Sequence, residues 1–301
     1  MTVAGDRAGL IGALRARRDL ADWTVRVVTS QVAWRTVGVE PTDDALGSYV
    51  GTTIGAEVHR DAATGRGSAT LELGGDEPPR IAVTRAIARA DAAIGPAWAT
   101  PAPAAPATVE LADPAIPPTR PAAAIDAVLA ALTAAATGSG ATVARAEVRV
   151  AVDDVELITR RGQRAQWRET RVTVDAFISA PRGGGALNDS GGRYGVITAR
   201  ARRIDDLDLR AAMITALDVD VAPTPLGLQP VTLTAAALTF GDHGLLGAFA
   251  AQADPRLERQ GLVRYRPGQL VVDGATLTLT SDGTLPFGWL SAPLGDRAEA
   301  V

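Results

Sequence analysis

The 301-residue chain has no cysteine, which excludes disulfides, thiolate chemistry and any cysteine metal ligand. It has no lysine either: all 30 basic residues are arginine, so neither a Schiff-base lysine nor a phosphate-loop lysine is available. Histidine occurs only as His59 and His243, and the role of His243 largely decides whether this chain catalyses anything alone. No strong positive charge is present. The formal net charge of -4 argues against nucleic acid as a main partner. Long apolar runs are missing too. The most apolar window, "IDAVLAALTAAATGSGATVA", is built of small residues and broken by glycine and threonine, so it reads as an amphipathic helix rather than a membrane span. The N-terminal "MTVAGDRAGLIGALRARRDLADW" has arginines where an export signal has its apolar stretch. The expectation is a cytoplasmic protein with no membrane partner.

What is present reads as α+β. Residues 7–18 suggest a helix, and "WTVRVVTSQVAWRTVGV" alternates as a strand and its hairpin partner. A second hairpin follows in "SYVGTTIGAEVHRD", "AATGR" and "GSATLELGG", with His59 expected to face solvent. "PPRIAVTRAIARADAAI" then places Ile81, Ala88 and Ile94 at helical spacing behind an N-terminal proline. After a proline- and alanine-rich connector the order restarts: a helix, then "AEVRVAVDDVELITRRG", at a constant offset of 123 for Val25/Val148, Arg26/Arg149 and Val27/Val150. A long strand "RETRVTVDAFIS", a glycine-rich loop, "RYGVITARARR" and the helix "DLDLRAAMITAL" follow. The expectation is two copies of helix, four antiparallel strands and helix, packed on each other or on a partner. The boundaries are residues 1–95 for the first unit, 96–121 for the connector and 122–225 for the second unit. Residues 226–301 read as the start of a β-rich C-terminal domain.

From about residue 145 the ordered fragments "AEVRV", "VELITRRGQRAQWRETRVTVDAFIS", "ARRIDDLDLRAAMITAL", "TPLGLQPVTL", "DHGLLGAF", "YRPGQLV" and "LTLTSDGTLPFGWLSAP" resemble the TldD/PmbA family, also called the modulator of gyrase family. The resemblance implies a two-part peptidase acting on unstructured peptides or trimming peptide precursors. One subunit type carries an H-E-x-x-x-H metal motif and a later cysteine ligand. The other, TldE/PmbA-like, keeps the fold without the metal. Family members continue beyond the "S-A-P" segment, whereas this chain ends in "APLGDRAEAV" with "GDRAEAV" in place of D-D-E-G. The C-terminal domain is therefore expected to be truncated or completed by another polypeptide.

Aligned with that motif, "LTFGDH" puts Leu238 on the first histidine, Thr239 on the glutamate and His243 on the second histidine. Leucine donates no electron pair, threonine is no carboxylate base, and no cysteine exists to complete the set. No catalytic residue, metal site or cofactor is expected in this chain, and zinc is expected in a TldD-like partner. His243 has two readings, a turn histidine capping the next helix or a peptide or interface contact. Phe287 and Trp289 likewise stand as core packing or as an interface or peptide groove. "PRGGGALNDSGGRYG" lacks G-K-[ST] and reads as a mobile hairpin loop. Asp153–Asp154 and Asp205–Asp206 read as a turn and a helix start. The leading expectation is a metal-free subunit paired with a TldD-like metalloprotease, or a homo-oligomer. The alternatives are a stand-alone peptide-binding or scaffolding module and a self-sufficient hydrolase with an unrecognised site.

Overall fold

The computed structural model describes residues 3–40, 43–74, 77–95, 109–181, 193–217 and Gly227. In chain order these are α1 (Val3–Arg15), β1 (Asp22–Gly38), β2 (Ala45–Ala62), β3 (Gly65–Glu72), α2 (Pro79–Ala92) and the short β4 (Ile94–Gly95). Then come α3 (Ile125–Gly138), β5 (Thr142–Thr159), β6 (Arg164–Ala180), β7 (Arg193–Ala201) and α4 (Leu209–Leu217). The strands form one seven-stranded sheet in the order β4-β3-β2-β1-β5-β6-β7, with neighbouring strands antiparallel. The α+β class is as expected.

Side chains alternate between the two faces of a strand, so the paired registers fix which residues share a face. Val25 lies opposite Ala56 and Ile158, and all three are buried in one core with Leu10, Leu14, Trp23, Val83 and Ile87. Val148 and Val174, opposite each other, anchor a second core with Ile125, Val128, Leu132, Ile197 and Met213. Counting along β5 from Ile158 to Val148 keeps parity, so both cores lie on the same face of the sheet. Helices α1 and α2 cover that face at one end and α3 and α4 at the other.

Several expectations change. "WTVRVVTSQVAWRTVG" is a single strand, β1, rather than a hairpin. Its Ser30–Gln31 step contains no glycine or proline to turn the chain and instead crosses the middle of the sheet. Each half contributes three long strands rather than four, the first half adding only the two-residue β4. The halves join edge to edge through β1 and β5, from Thr24 opposite Thr159 to Gly38 opposite Arg145, rather than by packing one unit on another. In α2 the buried face is Ala82, Val83, Ala86, Ile87 and Ala90, while Ile81 is exposed.

Helix α3, with its preceding turn Pro121–Ala124, is long and apolar enough to cross a membrane, at mean hydropathy 1.4. It lays Ile125, Val128, Leu132 and Ala136 on the sheet as a core helix. Within the expected connector, the described residues from 109 on pack closely. Leu111 and Ile116 are buried, and the Leu111 carbonyl accepts from the Thr170 N–H at 3.0 Å. Asp113 fixes this segment to the turn that follows β7: its Oδ2 accepts from the Ile204 N–H and its Oδ1 from the Ala115 N–H, both at 2.8 Å.

Candidate functional site

The expected site residues Leu238, Thr239, His243, Phe287 and Trp289 lie outside the described residues, as do loop residues 182–192. Among the described residues, no group of three or more histidine, cysteine or acidic side chains is arranged to hold a metal ion.

The described sheet offers a polar crevice that no motif announced. Between the two helix pairs the apolar lining of the covered face gives way to Thr29 on β1, Asp154 and Glu156 on β5, and Gln166 and Arg168 on β6. Together with Arg7 of α1 they line a cavity of about 660 Å³. The pairing explains the convergence, since Thr29 opposes Asp154, which opposes Arg168, while Val27 opposes Glu156, which opposes Gln166. Glu156 is mostly buried and takes Arg7 at 2.7 Å and Arg164 at 2.6 Å. Arg168 donates to Asp154 at 2.7 Å, and that hydrogen bond raises the guanidinium's pKa. Each carboxylate is committed to a guanidinium, so the crevice is equipped to bind and orient a polar ligand and has no free base.

The opposite face holds a second ionic group. Asp153 and Glu169 oppose each other across β5 and β6. Asp153, almost fully buried, takes Arg171 at 2.6 Å. Glu169 takes the buried Arg202 at 3.2 Å and accepts from Trp167 Nε1 at 3.2 Å. Asp153 and Asp154 are thus neighbours in mid-strand, aimed at opposite faces, and neither a turn nor a carboxylate pair. Asp205 and Asp206 fall in the short 3-10 turn Ile204–Asp206. The helix start belongs to Asp208, whose Oδ1 accepts from the Ala211 N–H at 3.0 Å.

His59 is buried rather than solvent-facing, at 6% exposure. Its Nδ1 lies 2.9 Å from Ser68 Oγ on the neighbouring strand. Alternation along "AEVHRD" located the strand, but could not show that this face is covered as well. The crevice was equally hard to see, because its residues come from four elements and meet only through register. The signal available was the polar interruption itself, "TSQ" in β1 and "DDVE" in β5, at the point where apolar alternation lapses.

No family model matches the chain, and no curated protein matches it. Among solved structures it is similar to TldE from Thermococcus kodakarensis, at 14% identity and a TM-score of 0.47, covering 69% of this chain and 46% of that one. It is also similar to a proposed modulator of a DNA gyrase from Thermotoga maritima, at 12% identity and a TM-score of 0.42, covering 72% and 47%. A proposed modulator of DNA gyrase from Bacteroides thetaiotaomicron gives 12% identity and a TM-score of 0.47, covering 71% and 49%. The chain spans less than half the length of each of these structures, all three of which carry names of the TldD/PmbA family.

Proposed function

We propose that this chain is a TldE/PmbA-like, metal-free subunit that pairs with a TldD-like metalloprotease in the cytoplasm and helps it handle unstructured peptides. One observation carries the reading: the fragments that resemble the family occur in the family's order, yet the metal motif has become Leu238, Thr239 and His243 in a chain without cysteine. A lone imidazole beside an aliphatic and an alcohol side chain does not fit a catalytic zinc, which needs about three protein ligands and a neighbouring base. No step of hydrolysis is therefore assigned to this chain. Its contribution is surface: the polar crevice offers guanidinium and carboxylate groups able to engage a peptide backbone and its charged ends.

The two halves are two copies of one unit in this reading. Val25 and Val148, matched by the sequence offset, sit on the same sheet face in the core of their own half. The last turn of the closing helix meets a glycine on the third strand in both halves, Ala90 against Gly67 and Ala216 against Gly195.

The test is to mix the purified chain with a TldD-like subunit carrying an intact H-E-x-x-x-H motif, then measure mass and peptide cleavage. A stable complex whose cleavage is abolished by chelator, with no cleavage by this chain alone, is the expected result. Failure to associate, or chelator-resistant hydrolysis by the isolated chain, overturns it.

A further inference from the structure

We propose that the outer edge of β2, over residues 45–51, docks a second copy of this chain, which adds its own β2 antiparallel across a two-fold axis. Strand β3 covers β2 only from Gly55 to Ala62, and the Leu73 N–H closes that pairing on the Ile54 carbonyl at 2.9 Å. Beyond it, among the described residues, no strand pairs with this edge over residues 45–53. An open edge presents a row of backbone donors and acceptors to any incoming strand. Folded proteins ordinarily guard such edges with charge, proline, a bulge or a covering segment.

The corresponding stretch of β6, beyond the end of β7, is guarded in two of those ways. It carries Arg164, Arg168, Glu169 and Arg171, and the Leu111 segment caps it by accepting from the Thr170 N–H. On β2 neither guard is present. "ALGSYVGTTIGA", residues 45–56, contains no charge and no proline. It exposes Leu46 at 69%, Tyr49 at 54% and Val50 at 72%.

Neutrality points to self-pairing, because an uncharged strand can lie against its own copy without bringing like charges together. The backbone geometry sets the register. The Ala21 N–H donates to the His59 carbonyl from the β1 side, whereas the Leu73 N–H reaches Ile54 from outside. Backbone groups alternate sides along a strand, so the even-numbered residues of β2 aim theirs outward. A two-fold axis at Ser48 then hydrogen-bonds Leu46 to Val50 of the second copy and Ser48 to its own counterpart. It also sets Tyr49 beside Gly47 of the second copy, next to Trp34, whose ring already lies over Gly47 within one chain. The interface is isologous and closes at two copies. This inference rests on the sheet edge and is independent of the family reading.

Light scattering of the full chain at tens of micromolar is expected to give twice the 31.0 kDa monomer mass. Ser48→Arg, at an exposed position, sets like charges on the axis and is expected to return the monomer with an unchanged circular dichroism spectrum. The cysteine-free sequence allows an independent check. In this register Ser48→Cys brings the two new thiols to Cα atoms about 5.5 Å apart, within disulfide range. It is expected to cross-link under mild oxidation at least tenfold faster than Thr53→Cys, exposed on the same strand. A wild-type monomer throughout, a dimer that survives Ser48→Arg, or equal cross-linking at both positions overturns the proposal. So does a monomer that binds an uncharged extended peptide and loses it in Ser48→Arg, which assigns the edge to a different occupant.

Discussion

His59 lies near the end of β2 with only 6% of its surface exposed, so lost hydration pushes its pKa below the ordinary value of 6.5. Arg66 acts in the same direction, while Glu57, Asp22 and Asp61 oppose it. The folded state therefore holds the ring neutral at pH values where the unfolded chain binds a proton. Stability is complete above about pH 7 and falls as the pH drops through 6.5 toward the lower folded value. Urea denaturation at pH 7.5 and 5.5 is expected to show this loss, and His59→Gln, which can still hydrogen-bond Ser68, is expected to flatten it. Asp19 belongs to a different window, because its hydrogen bond with Arg17 holds its pKa at about 2. Its contribution is kept above the ordinary 3.8 and lost as the pH falls toward 2. The Asp153–Arg171 pair makes a second test. Arg171→Ala strands a buried carboxylate and is expected to cost about 3 kcal/mol, whereas adding Asp153→Ala recovers part of it. The sequence revealed the types of these residues but not their exposure. His59 and Asp153 look like surface residues until the registers of three strands fix what lies beside them.

Gly67 and Gly195 show how a helix is seated on a strand without any sequence motif. A Cβ built on Gly67 collides with the Ala90 carbonyl of α2, and one built on Gly195 meets the Ala216 carbonyl of α4 at 2.8 Å. Valine at either position must lift its helix off the sheet. The expected cost is about 1–3 kcal/mol by thermal or urea denaturation, while Gly74→Ala, with open space around it, serves as a control. Asp208→Ala is expected to cost about 1 kcal/mol by removing the hydrogen bond to the Ala211 N–H at the start of α4. Elements were the most legible scale. The β2–β3 hairpin, α3, β6 and α4 all follow from period and punctuation, and the turn from β5 to β6 is marked by Gly162 at a φ of 84°. Strand β5, by contrast, runs unbroken through Asp153–Asp154, which read as a turn in the sequence. The errors have physical causes. Polar Ser30 and Gln31 imitate a turn in β1 because that strand crosses the gap between the helix pairs. Ile81 imitates a core position in α2, but the face turned to the sheet is that of Ala82, Val83, Ala86, Ile87 and Ala90.

At the scale of the molecule, sequence reading suggested a doubled pattern, while the junction between the two stretches is visible only in the strand registers. That junction is made by β1 and β5, two long strands whose residues lie more than a hundred positions apart in the chain. Each is an interior strand only because the other is present. The chain from 1 to 95, made alone, would carry β1 as a bare border, and the chain from 109 to 217 would carry β5 the same way. Proteins dominated by such remote pairings assemble slowly, since the intervening polymer must first be gathered in. Covalent continuity between the halves is then a matter of rate and local concentration more than of final architecture. Two separately synthesised pieces, each insoluble or weakly structured alone, are expected to recover the native circular dichroism spectrum when refolded together, with a rate that rises with the concentration of either piece.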